Sequence, residues 1–77
     1  MSTAQEAKVA WGVQTVGEAA GQVWSMLRRA GKAGLSAIER EVGAPLPLTH
    51  MAIGWLAREG KIEIQQDKRA VQIWLVE

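Results

Sequence analysis

At Gly60 the apolar residues of this chain change their period, and no other feature restricts its fold as much. Before that point Thr49, Ile53, Leu56, Ala57 and Gly60 recur at helical spacing, so at about 100° per residue they share one side of a helix that must face the core. Beyond it Ile62 and Ile64 alternate with Glu63 and Gln65, and Val71, Ile73 and Leu75 alternate with Gln72, Trp74 and Val76. A period of two belongs to strands that bury one face. The polar run Gln66, Asp67, Lys68 and Arg69 between them reads as a turn, so the carboxyl-terminal end is expected to be a β-hairpin.

Upstream, the punctuation divides the chain into helices. The segment Gly43 to Pro47, GAPLP, cannot continue a helix, because each proline lacks an amide donor and drives the residue before it toward extended geometry. Pro47 is suited to open one, so a third helix is expected from there to Glu59, closed by Gly60. Ser36 with Glu39 has capping-box spacing and predicts a short second helix that turns Ile38 and Val42 inward and stops at Gly43. Thr15 with Glu18 has the same spacing and predicts the start of a first helix that runs to about Ala30, with Val16, Ala19, Ala20, Val23, Trp24 and Leu27 on its apolar side. Arg28, Arg29 and Lys32 lie at its carboxyl end, where the helix dipole favours cations. Residues 1–10 show no sustained period and read as a flexible tail, with Trp11 stapling it to the first helix and a single domain over 11–77.

With 77 residues and 48% apolar content there is material for one core. The chain has no cysteine, so no disulfide or thiolate metal site contributes, which suits a reducing bacterial cytoplasm. The amino terminus lacks the pattern of a secretory signal, and no run approaches the roughly 18 apolar residues of a membrane span, so a soluble, cytoplasmic protein is expected. Nine Lys and Arg against eight Asp and Glu give a formal charge of +1, which neither requires nor excludes a nucleic acid.

Three helices followed by a hairpin make a mostly α fold with the order of a winged helix-turn-helix, its wing built of two or three strands. The runs GEAAGQVW (17–24) and MAIGWLAREGKIEI (51–64) resemble a family of small uncharacterised bacterial and archaeal winged-helix proteins of unknown function. The resemblance covers residues 11–77 and is most specific in the Gly54–Glu59 run. It implies the fold, and brings no ligand, partner or reaction with it.

In such a fold the third helix is the one that reads DNA, and bases are read by Arg, Lys, Asn or Gln. Here the side opposite the expected core face carries Leu48, Met51 and Trp55, with a polar strip of His50, Gly54 and Arg58. Two readings stay open. In the first, a transcription-regulator-like module binds double-stranded DNA weakly, with Thr49, His50 and Arg58 near the duplex and Lys68 and Arg69 on phosphates, Arg28 or Lys32 being optional additions. In the second, a protein-interaction or homodimerisation module without DNA binding uses Met51, Trp55 and Trp74 as an apolar patch rimmed by Arg58, Glu59 and Glu63.

Each of these residues also has a packing role to weigh. Trp55 either anchors an interface or folds against the wing and the carboxyl end of the first helix; Trp74 covers the second face of the hairpin or joins Trp55. Gly17 and Gly21 let another backbone approach the first helix, within the domain or in a dimer. His50 is the only histidine, and no nucleophile has a base and orienting acid in any motif. No enzyme, cofactor, metal or small-molecule substrate is therefore expected.

Overall fold

The computed structural model describes residues 11–76; the tail expected over residues 1–10 lies outside them. The elements follow in the order α1 (Val13–Ala30), β1 (Lys32–Gly34), α2 (Leu35–Val42), α3 (Leu46–Arg58), β2 (Ile62–Asp67) and β3 (Ala70–Leu75). The strands form an antiparallel sheet in the order β1-β3-β2. This is the expected winged helix, with a three-stranded wing.

The helix starts differ from the capping-box reading. α1 begins at Val13 after Gly12, and Thr15 lies inside its first turn, where its Oγ1 accepts the Gly12 N–H at 3.2 Å. A threonine-glutamate pair three residues apart also arises when the threonine itself occupies the third helical position and reaches back to the amide before the helix. Glu18 accepts instead from Gln14 Nε2 at 3.4 Å. Ser36 is likewise the second residue of α2, because β1 pairing leads straight into that helix through Gly34. α3 opens at Leu46 with Pro45 as its cap and Pro47 in its first turn, where neither missing amide has an intrahelical acceptor to lose.

At the far end of α3, Gly60 has φ 74° and the Lys61 N–H bonds Leu56 O at 2.9 Å, which turns the chain directly into β2. The hairpin turn is tighter than the expected four residues. Gln66 and Asp67 pair with Val71 and Ala70, leaving Lys68 and Arg69 as the loop, with Lys68 left-handed at φ 59°. β1 is the third strand allowed for in the wing, at a position that no period in the sequence marks. It pairs Lys32, Ala33 and Gly34 with Trp74, Ile73 and Gln72, and so makes β3 the central strand.

The core lies between the helices and the inner face of the sheet, around Val23, Leu27, Ile38, Ala52 and Ile73. Ile53 and Leu56 are buried as expected. Two flanks of α3 are not as expected: Leu48 is buried rather than outward, and Ala57 and Gly60 are exposed rather than inward. Periodicity locates a buried arc only to within a residue or so on either edge. The edge is set by α1, which packs along α3 and draws the arc toward Leu48 and Ala52, while among the described residues nothing covers Ala57.

Candidate functional site

The outward side of α3 comprises His50, Met51, Gly54, Ala57 and Arg58, all exposed. It is neither a base-reading ridge nor a continuous apolar patch. His50 Nε2 lies 2.6 Å from Glu39 Oε2 of α2, so the ring in the half of the helix that would enter a groove is already engaged by a carboxylate. Met51, 47% exposed, is the one large apolar side chain on this strip. Thr49 is fully buried, which leaves it nothing to offer a duplex.

Exposed cations without acid partners among the described residues are found on α2, α3 and the wing tip. Arg40 of α2, Arg58 of α3 and Lys68 and Arg69 at the wing tip are exposed, and none of them forms an ion pair among the described residues. The turn that carries the last two is fastened by a hydrogen bond from Gln66 Nε2 to Lys68 O at 3.4 Å. Arg69 also lines a shallow groove of ≈ 210 Å³ together with Ser36 at the start of α2 and Gln72 of β3. β1 produces this proximity, since it holds the beginning of α2 against the central strand.

The tryptophans occupy another surface. Trp55 is half-buried and lies over the amino-terminal half of α1, where its ring would stand 3.7 Å from a Cβ at Gly17; it does not lean on the carboxyl end of that helix. Trp74 projects from the outer face of the sheet, in register with Lys32 on one side and Glu63 on the other. The Lys32 ammonium lies 4.5 Å from its ring centroid, and the Arg28 guanidinium lies 5.1 Å from that of Trp24.

Trp24 connects what the sequence left separate. It lines one groove of ≈ 350 Å³ with Gly17, Gly21, Trp55, Glu59 and Lys61, and a second of ≈ 550 Å³ with Arg28, Gly31, Trp74 and Val76. Met51 borders neither groove. In the sequence Trp24 is indistinguishable from its core neighbours Val23 and Leu27; only the placement of α3 and the wing on either side of it leaves it half-buried at a junction. Trp11, by contrast, is exposed.

Among the described residues no group of three or more His, Asp or Glu side chains is placed to hold a metal ion. Among the same residues no helix is long and apolar enough to cross a membrane.

The sequence matches a winged helix-turn-helix domain family, DUF2582, over residues 6–75, which reaches into the stretch read as a tail. An uncharacterised protein of Methanocaldococcus jannaschii, MJ1608, is 42% identical over 62 residues, spanning 77% of this chain and 84% of that protein. Protein BT2368 of Bacteroides thetaiotaomicron, solved by solution NMR, has a similar structure with a TM-score of 0.72 at 34% identity, covering 80% of this chain and 76% of that one.

Proposed function

The chain belongs to the DUF2582 winged helix-turn-helix family, and from that premise we propose that it binds double-stranded DNA through phosphates rather than bases. The observation that carries this reading is the pair Lys68 and Arg69 at the wing tip, exposed and free of acid partners among the described residues, in a fold whose third helix has Arg58 as its only outward cation. α3 enters the major groove, where the small side chains at Gly54 and Ala57 permit close approach. The wing tip and Arg58 take phosphates on either side. Met51 offers the one apolar contact suited to a thymine methyl, which is too little to select a sequence.

About three phosphate contacts imply a slope near −2.7 in log affinity against log salt, so roughly a 40-fold loss between 50 and 200 mM. The test is fluorescence anisotropy with a labelled random duplex over a salt series. Replacing Lys68 and Arg69 by alanine should weaken binding and flatten the slope by about two units. Absence of binding at about 50 mM salt, where phosphate contacts are strongest, refutes the reading.

A second reading, a protein-interaction module without DNA binding, is favoured by the two adjoining grooves that Trp24, Trp55 and Trp74 line. It predicts that Trp55→Ala leaves the chain folded while removing a partner, whereas a variant that simply unfolds makes Trp55 a packing residue.

A further inference from the structure

The solvent side of α1 carries its chemistry in a fixed order. Gln14, Glu18, Gly21, Ser25 and Arg28 are spaced alternately four and three residues apart, lie along one line of the helix and are all exposed. They lie opposite the buried Ala19, Ala20, Val23, Met26 and Leu27. The acid therefore comes at the amino-terminal end of the line, small side chains in the middle and the base at the carboxyl-terminal end. Neither charge is neutralised within the described fold: Glu18 accepts only from Gln14, and the Arg28 guanidinium rests on the ring of Trp24.

Gly21 has no packing explanation among the described residues. Among them a Cβ there would meet nothing within 4 Å, whereas one at Gly17 would touch Trp55. A glycine in mid-helix destabilises by about 0.5–1 kcal/mol relative to alanine, and here no packing among the described residues offsets that. A groove runs along each side of it. One is the Trp24–Trp55 groove between α1 and α3; the other, of ≈ 610 Å³, is lined by Glu18, Gln22, Ser25, Met26, Arg29 and Val42.

We propose that a second copy of this chain docks on this face, α1 against α1 and antiparallel, about a two-fold axis level with Val23. A helix that runs from acid to base complements a copy of itself only when the copy is reversed; a parallel pair would set Glu18 beside Glu18 and Arg28 beside Arg28. With the axis at that level Glu18 meets the partner's Arg28 and Gly21 meets the partner's Ser25, each contact occurring twice as a two-fold requires. The small residues at the centre let the helix axes approach. Such an axis keeps both Trp24 side chains on the same flank, so each indole faces the partner's Gly21 and the open groove beside the partner's Trp55. The exposed parts of the two Trp24 side chains supply apolar area, while two ion pairs across the seam set register and direction, and reversing one charge turns both into repulsions. The interface is small, so association in the micromolar range is expected.

This association is independent of duplex binding, and its test contains no nucleic acid. Sedimentation equilibrium of the full chain over two decades of concentration should show a reversible monomer–dimer exchange. Glu18→Arg and Arg28→Glu should each weaken it at least tenfold, and the two together should bring the dissociation constant back to near that of the parent, with circular dichroism showing all three variants folded. Gly21→Ala should weaken the dimer while raising the thermal stability of the dilute monomer. A parent chain that stays monomeric at the highest concentration overturns the proposal. So does a dimer indifferent to both charge reversals, or a double variant no better than either single one.

Discussion

Replacing Thr49 by valine should stabilise the protein, although it deletes a polar group from the helix that a winged-helix fold offers to DNA. Thr49 is 0% exposed, and its Oγ1 has no hydrogen-bond partner among the described residues. A threonine in a helix commonly returns its hydroxyl to a carbonyl three or four residues back. Four residues back is Pro45, whose oxygen takes the Thr49 amide at 3.0 Å and has a second lone pair, but the hydroxyl makes no hydrogen bond to it. An unpaired hydroxyl in a protein interior costs about 1–3 kcal/mol. Valine keeps the β-branch and the favoured helical rotamer, has nearly the same helix propensity, and puts a methyl where the hydroxyl was.

Allowing up to about 1 kcal/mol for the slightly larger group, the net gain is about 1–2 kcal/mol, or roughly 6–12 °C in Tm for a domain of this size. Thr49→Ser, which keeps the hydroxyl and deletes the methyl, should lose about 1 kcal/mol. Thermal and urea unfolding followed by circular dichroism measure all three proteins. A valine variant at or below the parent Tm refutes the reasoning and means that the hydroxyl finds a partner in solution.

Two further outcomes are expected. At Gly17 a single Cβ would make ordinary contact with Trp55 at 3.7 Å, so Gly17→Ala should stabilise by about 0.5–1 kcal/mol while Gly17→Leu should displace the indole and red-shift tryptophan emission; unchanged emission in the leucine variant would mean that Trp55 does not rest there. The His50–Glu39 contact lies at partly exposed side chains, so a double-mutant cycle between His50→Ala and Glu39→Ala should give a coupling of no more than about 1 kcal/mol, and a larger value would show that the pair organises the α2–α3 turn.

Much of the local architecture is legible in single residues. The two-residue alternation after Gly60 produces the β2–β3 hairpin, and Ile53 and Leu56 are buried where the helical period puts them. Pro45 and Pro47 mark the start of α3 to within a residue. β1 is different: three residues are too few to display a period, and Lys32–Gly34 is a strand only because β3 is there to pair with it. The candidate site was legible in part. Met51, Arg58, Lys68 and Arg69 are exposed as a surface role requires, whereas Thr49 is buried and the importance of Trp24 had no signal beyond helical spacing.

By itself the sequence determined where the helices end, which segments alternate, and the charge order along α1, because glycines, prolines and periodicity act through contacts within a turn or two of the backbone. Tertiary structure alone decided which edge of α3 is covered, that Arg69 comes beside Ser36, and that Trp24 joins Trp55 to Trp74. Those outcomes depend on which distant element occupies the space beside a helix, and no local pattern encodes it.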